Sequence, residues 1–427
     1  MKNRPYLIHR RLLFTCIVAG LVVGCAAPPE AGKRSRDKAF VSYWGAPPNS
    51  GLRLAVKDNI DMRGEVTTVG SEYFAKNGTA AKQDAACLTL VRERNVRIVG
   101  KTNLTEFTVT VSGKNSYFGT PVNRWDGEHD FIPGGSSSGS AVAVSSGRAD
   151  VAIGTDSGGS IRVPAACCGI YGLKTTFGLV STKGVFPVSP KHLDTVGPMA
   201  ADMPNLVRGM NLLQRGFQAR YDAAVAAKPS ARQIRIGRLY IAGTDPAIDK
   251  AIDDALAAKG FKVVKLDQRF LAKWAQAERD GQSIAIADAW RNDEKYLANS
   301  GITQKTRIVL TTGALEATTA YDAAVKRKAA WQRDLRQVFE KVDFIATPTM
   351  KTLPPRKPWF DTIVFELAVL ASQNTIGINF AGNPALAVPI AMPPEDDFVP
   401  LTSLQLVGPR LSEAQLLNAG RILASKP

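Results

Sequence analysis

Two clusters of glycine and serine lie close together in the first half of the chain. The first covers residues 133–140 (PGGSSSGS) and the second covers residues 154–160 (GTDSGGS). Glycines let a backbone turn sharply and point several N–H groups at one spot. Serines in such a turn act as nucleophiles or as helix caps, and capping is the preferred interpretation of a single cluster.

Two familiar uses of such clusters do not fit. A phosphate-binding loop needs Lys-Ser or Lys-Thr after its G-x-x-x-x-G frame, and neither cluster has it. Residues 135–139 match G-x-S-x-G, but a nucleophile elbow needs a late histidine as its base. No histidine follows His192, and His129 lies upstream of the serines in an acidic stretch. A nucleophilic serine here therefore needs another base.

Lysine is the remaining candidate for that base. Lys57 directly follows the apolar run 52–56 (LRLAV) and precedes Asp58. A desolvated lysine loses its charge more easily and offers a neutral amine as a base, and Ser–Lys pairs are a known variant of the catalytic triad. From spacing alone, a surface lysine paired with Asp58 is the commoner outcome, so both interpretations stay open at this point.

A longer series of motifs resembles the amidase signature family, serine hydrolases that cleave amides with a Ser–cis-Ser–Lys triad. The resemblance runs from about residue 50 to the end, is weakest over 201–342, and includes the family's 24-residue interval between Ser136 and Ser160. The matching segments are 54–60 (LAVKDNI), 100–107 (GKTNLTEF), 118–123 (FGTPVN), 133–143 (PGGSSSGSAVA), 154–164 (GTDSGGSIRVP), 168–174 (CGIYGLK), 193–199 (LDTVGPM), 379–389 (NFAGNPALAVP) and 404–409 (LQLVGP).

The resemblance implies a role for each matching residue. Ser160 would be the nucleophile, Ser136 the bridging serine after a cis peptide bond to Gly135, and Lys57 the terminal base. The oxyanion hole would use the backbone N–H groups of Ser157, Gly158, Gly159 and Ser160. The supporting residues would be Ser137, Asp156 and Arg162.

The expected activity is hydrolysis of a small-molecule carboxamide to a carboxylic acid and ammonia or an amine, through an acyl-enzyme on Ser160, with no cofactor. The acyl pocket would be built by residues 110–116 and the variable region 201–370, where no residue has a readable preference. Alternatives are an esterase, a catalytically inactive binding protein of the same fold, and a protein like the A subunit of an amidotransferase, which delivers ammonia to a tRNA-bound acyl group together with partner proteins.

The elements that must position these residues indicate an α/β fold, with a mixed central β-sheet flanked by helices on both faces. The predicted strands are 53–56, 97–99, 151–154, 234–239, 262–266, 344–347, 385–390 and 403–407. The predicted helices are 82–94, 140–146, 203–213, 246–257, 269–299, 314–340 and 413–423. Residues 201–342 are mostly helical within a catalytic domain that spans 46–427.

The composition excludes several classes of protein and of partner. The chain has 427 residues, of which 45% are hydrophobic and 22% charged, which excludes a coiled coil, wholesale disorder and a disulfide-rich mini-protein. The net charge is +16, but no Lys/Arg block is long enough to be a nucleic-acid tail, so no nucleic-acid partner is expected. Three histidines make a histidine-based metal site improbable. The sequence does not indicate an oligomeric state.

The N-terminus has the pattern of an export signal. Residues 1–11 carry basic side chains and no acid, and the apolar run 12–23 is too short to span a bilayer comfortably. Cys25 follows a small residue, and this pattern resembles the lipobox of bacterial lipoproteins. A plain signal peptide is the alternative. The expectation is a signal peptide over 1–24, lipidation of Cys25, a tether over 25–45, and a lipid-anchored protein on the periplasmic side of the cell envelope.

Overall fold

The structure is a computed structural model, and it describes residues 37–45, 51–125, 128, 131–358, 362–393 and 401–425. The predicted signal peptide over 1–24, the proposed lipidation site Cys25 and His129 lie outside the described residues. Among the described helices, none combines the length and the apolar character needed to cross a membrane.

One mixed sheet organises the described residues. Its strands are β1 (Phe40–Tyr43), β2 (Arg53–Lys57), β3 (Arg97–Thr102), β4 (Val151–Asp156), β5 (Tyr171–Lys174), β6 (Thr195–Ala200), β7 (Arg235–Arg238), β8 (Lys262–Lys265), β9 (Phe344–Pro348), β10 (Ala385–Ala391) and β11 (Leu401–Val407). The 11 strands run in the order β1-β3-β2-β4-β6-β5-β10-β11-β9-β7-β8. β2 pairs in parallel with β3 and β4, whereas β6 pairs with β4 in antiparallel.

Helices cover both faces of the sheet. They are α1 (Glu72–Asn77), α2 (Thr89–Glu93), α3 (Ser138–Ser145), α4 (Arg162–Cys167), α5 (Met203–Leu213), α6 (Phe217–Ala227), α7 (Pro246–Lys259), α8 (Gln268–Asp293), α9 (Gln304–Thr319), α10 (Tyr321–Phe339), α11 (Ile363–Ser372), α12 (Ile376–Ala381) and α13 (Glu413–Ala424). Short 3-10 turns occupy Ala86–Leu88, Glu106–Thr108, Ala231–Gln233 and Glu294–Tyr296.

The alternation of side chains along β2 explains the two covered faces. Leu54 and Val56 point into a large core that includes Leu206 of α5, while Ala55 packs in a second core with Ala141 of α3. Successive side chains of a strand point to opposite faces, so a strand apolar at every position must be covered on both sides. The predicted α/β fold with a mixed sheet and helices on both faces is confirmed.

Some elements have other boundaries in the structure than those predicted from the sequence. Within the segment 25–45 that the sequence predicts to be a tether, residues 40–43 form the edge strand β1, which pairs antiparallel with β3 and buries Phe40. The helix predicted over 314–340 is two helices, α9 and α10, separated at Ala320. The helix predicted over 82–94 is reduced to a 3-10 turn and the short α2.

The chain brings its polar motifs to one edge of the sheet. Lys57 is the last residue of β2, and Asp156 is the last residue of the neighbouring parallel strand β4. The first glycine–serine cluster ends in α3, and the second runs from the last residues of β4 into the turn before α4. Because β2 and β4 are parallel, their carboxyl ends meet at the same edge, which is where ligands of α/β proteins commonly bind.

Candidate active site

Lys57 and Ser136 form a buried hydrogen-bonded pair. Both side chains are fully inaccessible, and the Lys57 Nζ lies 2.7 Å from the Ser136 Oγ. A second hydrogen bond of 2.8 Å runs from the Lys57 Nζ to the Thr155 Oγ1. The alternative of a surface lysine paired with Asp58 is wrong, because Asp58 forms its buried ion pair with Lys101, at 2.6 Å.

The surroundings of Lys57 make it a base near neutral pH. Burial lowers the pKa of its ammonium group to about 7, and the carboxylates of Asp156 and Asp194 oppose that shift only in part. A buried amine loses its hydration when charged, so its neutral form is favoured. A large fraction of Lys57 is therefore neutral at pH 7, with a lone pair that can accept a proton.

The backbone brings the two glycine–serine clusters into contact. The peptide bond between Gly135 and Ser136 is cis, as the family resemblance implies. The Ser137 backbone N–H donates to the carbonyl oxygen of Ser160 over 3.2 Å, and the Ser137 Oγ donates to the carbonyl oxygen of Thr155 over 3.3 Å. Ser137 therefore connects the loop of Ser136 to the loop of Ser160.

Ser160 lies in the turn between β4 and α4, half-buried, on the wall of a cavity. Within the described residues, its hydroxyl makes no hydrogen bond to Ser136 or to Lys57. The structure thus brings two of the three predicted triad side chains into direct contact and places the third on the adjoining loop. Hydrogen bonds to a nucleophile are commonly longer in unliganded enzymes and tighten when substrate binds.

Asp156 and Arg162 form a fully buried ion pair beneath that turn. The Arg162 Nη2 lies 2.9 Å from the Asp156 Oδ1, and the Arg162 Nε lies 3.0 Å from the Asp156 Oδ2. Burial opposes ionisation of Asp156, but the charge and hydrogen bonds of Arg162 outweigh it and hold the pKa of this carboxyl well below its usual range. Asp156 therefore stays ionised, and its buried ion pair with Arg162 fixes the turn.

The predicted oxyanion loop differs from expectation at one donor. The Gly159 N–H already donates to the Asp156 Oδ1 over 2.8 Å. For Ser157, Gly158 and Ser160, no acceptor for the backbone N–H occurs in the part of the chain that the structure describes. Gly159 has a φ of +131°, and a Cβ there would lie 2.3 Å from the Thr375 Oγ1. Only glycine fits at this position, and its N–H serves to shape the loop.

Several residues of the site were missed by sequence reasoning. Asp194 accepts a hydrogen bond of 2.6 Å from the Ser157 Oγ and bonds of 3.0 and 2.9 Å from the backbone N–H groups of Val188 and Ser189. Arg162 also donates to Asn379 and to the Gln405 Oε1, the latter over 2.6 Å. A signal was present, because the motifs 193–199, 379–389 and 404–409 each contain one of these partners: Asp194, Asn379 and Gln405.

A cavity of about 180 Å³ adjoins Ser160. Thr110 and Val111 line one side, in the segment where the sequence predicts part of the acyl pocket. Residues of α8, α9 and α11 make up more than half of the lining, and all three helices lie in the predicted variable region 201–370 or at its end. Among the described residues, no cluster of three or more His, Cys, Asp or Glu side chains is suited to hold a metal ion.

Comparison with known proteins agrees with this geometry. The family model described as Amidase matches residues 31–417. The A subunit of glutamyl-tRNA(Gln) amidotransferase from Natronomonas pharaonis is 32% identical over 416 residues, which cover 88% of this chain and 96% of that protein. The same-named protein of Symbiobacterium thermophilum is 33% identical, over 95% of this chain and 87% of its own length.

Solved structures agree as well. The crystal structure of the same-named protein from Thermotoga maritima gives a TM-score of 0.73 at 25% identity, covering 90% of this chain and 87% of the other. A structure described as a vestigial complex that reveals the origins of an s-triazine catabolic enzyme gives a TM-score of 0.75 at 25% identity, covering 88% and 84%. With its sheet, its cis Gly135–Ser136 bond and its buried Lys57–Ser136 pair, the chain belongs to the amidase signature family.

Proposed function

We propose that this protein hydrolyses a carboxamide through an acyl-enzyme on Ser160. The observation that carries the proposal is the buried contact of 2.7 Å between Lys57 and Ser136, on the loop joined to Ser160. A buried serine bonded to a lysine of lowered pKa is suited to relay a proton from a nucleophile. The family match supports the same chemistry.

The reaction then follows from the roles of these groups. Ser160 attacks the amide carbon while its proton passes to Ser136, whose own proton passes to neutral Lys57. Backbone N–H groups of Ser157, Gly158 and Ser160 stabilise the negative oxygen of the tetrahedral intermediate. The C–N bond breaks as the relay returns a proton to the departing nitrogen. Water, deprotonated by the same relay, then attacks the ester of Ser160. The acyl C–O bond breaks as the relay returns that proton to the Ser160 oxygen, which releases the carboxylic acid and restores the serine.

The test is covalent labelling of the full chain with a fluorophosphonate, followed by intact mass. We expect one adduct in the native protein, none in Ser160→Ala, and slower labelling in Lys57→Ala. Ser181→Ala is the control, because Ser181 is an exposed serine outside the site. An adduct that persists in Ser160→Ala, or a folded native protein that forms none, would refute the assignment and favour an inactive binding protein of the same fold.

A second candidate is a component of an amidotransferase complex. The relatives from Natronomonas pharaonis and Symbiobacterium thermophilum carry the name of a glutamyl-tRNA(Gln) amidotransferase component, and the chain covers most of their length. In that case the group released at Ser160 would be ammonia, and it would pass, with the help of partner proteins, to a tRNA-bound acyl group. The same triad serves both functions, so the fate of the nitrogen and the need for a partner distinguish them.

The two candidates differ in what the isolated chain does. A free-standing hydrolase turns over simple amides alone, whereas an amidotransferase component requires its partner proteins for full activity. Steady-state release of ammonia from a panel of amides by the purified chain decides between them. Efficient turnover without partners supports the hydrolase, while labelling of Ser160 without turnover of any amide supports the amidotransferase.

We also propose that Cys25 is lipidated after export, on the pattern of residues 1–25 alone. Expression in a bacterial host with a radiolabelled fatty acid tests it. We expect label in the membrane fraction for the native chain and loss of that label in Cys25→Ala. Cys87→Ala is the control, since Cys87 is buried in the fold. Label that remains in Cys25→Ala, or a native chain that stays in the cytoplasm, would contradict export and anchoring.

A further inference from the structure

The cavity beside Ser160 has an apolar wall built by three helices. α8 contributes Ala285 and Ala289, α9 contributes Ile308 and Leu310, and α11 contributes Leu367 and Leu370. Ile376 continues the wall, and its side chain lies against Gly158 of the oxyanion loop. The apolar surface therefore begins directly beside the position of the reacting carbonyl.

The one charge in this wall is already neutralised by neighbouring groups of the protein. Glu366 is its one charged residue among those described, and its carboxylate accepts hydrogen bonds from the Ser112 Oγ at 2.6 Å and from the backbone N–H groups of Val111 and Ser112. It also pairs with the Lys305 Nζ at 3.0 Å. A charged substrate group placed here would lose its hydration and gain no counter-charge, which is unfavourable.

The other polar side chains of the lining, besides the serines of the oxyanion loop, are uncharged threonines and glutamines. The Gln373 side-chain nitrogen is buried and has no hydrogen-bond partner within the described residues. Such groups can orient a neutral amide but offer no ion pair to an amino acid. The lining thus favours an acyl group without charge.

The size of the cavity limits that group further. Its volume of about 180 Å³ is close to the ~150 Å³ of an engineered apolar cavity that binds benzene. One phenyl ring or a short alkyl chain therefore fills it. The rim stays apolar, because Ile308 and Leu367 remain 42% and 56% exposed, so a somewhat longer chain contacts apolar surface on its way out.

We propose that the acyl group of the substrate is apolar and about the size of a phenyl ring or a short alkyl chain, and that α8, α9 and α11 select it. This inference rests on the proposed function, because it assigns the acyl side of the amide cleaved by Ser160. It excludes zwitterionic amides such as free glutamine as good substrates. Benzamide and hexanamide represent the expected class, and acetamide represents the same head group without the apolar part.

The first experiment compares kcat/KM of the full chain for these four amides. Each buried methylene is worth about a fourfold gain, so we expect hexanamide and benzamide to exceed acetamide at least tenfold, and glutamine to fall below acetamide. Equal values for the four, or a preference for glutamine, would overturn the apolar pocket and leave the hydrolase intact. Binding of benzamide to Ser160→Ala, measured by calorimetry, tests the pocket even if turnover fails, and absence of binding there would also overturn it.

Paired substitutions on the same helices locate the pocket. Ala285→Leu fills the cavity, so the ratio of benzamide to acetamide kcat/KM should fall at least tenfold, whereas exposed Ala272→Leu on α8 leaves that ratio unchanged. Leu367→Ser should lower the hexanamide to acetamide ratio severalfold, and Val364→Ser should not, since Val364 is exposed on α11 outside the lining. Equal effects of a variant and its control would refute the assignment.

Discussion

The proposed catalytic loops and the helical wall of the cavity face the same space but are built on opposite principles. These loops are the two glycine–serine loops together with Lys57 at the end of β2. In the loops, charged and polar groups are buried and paired: Lys57 with Ser136, and Asp156 with Arg162. In the wall, α8, α9 and α11 present small and apolar side chains, of which Ile308 and Leu367 stay partly exposed at the rim. Buried polar groups tolerate few replacements because each needs its partner, whereas apolar surfaces accept many of similar volume.

This contrast separates two kinds of functional effect. A change in the loops should slow every amide by the same factor, because it acts on the transition state common to them all. A change in the wall should alter the ratio of kcat/KM values between amides and leave the chemistry that they share in place. A substitution that violates this division would show that the two regions are coupled.

The largest effect is expected for Lys57→Met. Methionine has a similar length and no charge, so the buried site stays filled while the base disappears. General-base catalysis contributes about 10²- to 10⁴-fold, and kcat/KM should fall by that amount for benzamide and acetamide alike. Lys273→Met, on the exposed surface of α8, should retain full activity. A loss in Lys57→Met that differs tenfold between the two amides would break the proposed division.

Arg162→Met should act on stability. It leaves the carboxylate of Asp156 buried without its counter-ion, and breaking a buried pair costs about 3–5 kcal/mol. Urea unfolding of the native chain and the variant measures the difference in the free energy of unfolding. Arg410→Met is the control, since Arg410 is exposed and donates only to backbone carbonyl groups. Equal losses in the two variants would show that the loop does not depend on its ion pair.

The same contrast explains how much the sequence reveals. The resemblance to the amidase signature family predicts a role for Lys57, Ser136 and Ser160 from their motifs, and the structure brings the first two into contact. Strands such as β4 and β10 are also evident from continuous apolar runs. The substrate preference is not evident from the sequence. The cavity is lined by residues more than 250 positions apart, such as Val109 and Leu370, and only the folded chain brings them together.

The missed elements have local causes. β5 and β6 contain Gly172, Gly197 and Pro198, residues with weak strand propensity, and their neighbours in the sheet override that preference. The break between α9 and α10 at Ala320 has no glycine or proline to signal it. The hydrogen bond from the Gly159 N–H to Asp156 could not be predicted, because only the turn geometry brings the two groups together.

A smaller effect is expected from pH. The pKa of Lys57 lies at about 7, so its neutral fraction, and with it kcat/KM, should level off above pH 7 and fall about tenfold per unit well below it. The direction follows because protonation at low pH removes the lone pair. Profiles for benzamide and acetamide should share one midpoint, since the wall carries no uncompensated charge. Midpoints that differ by a full unit would mean that a group in the wall titrates with the substrate.

The smallest effect is expected for Thr155→Val, which removes a residue that positions the base. The Thr155 Oγ1 accepts hydrogen bonds from the Lys57 Nζ at 2.8 Å and from the Asn59 Nδ2 at 3.1 Å. Loss of one neutral hydrogen bond is worth about 0.5–1.5 kcal/mol, so kcat/KM should fall about two- to tenfold for every amide. The ammonium form loses an acceptor, so the midpoint of the pH profile should move to lower pH, whereas Thr402→Val, buried on β11, should leave it in place. An unchanged midpoint in Thr155→Val would mean that Thr155 supports only the fold, and that Ser136 alone orients the lysine.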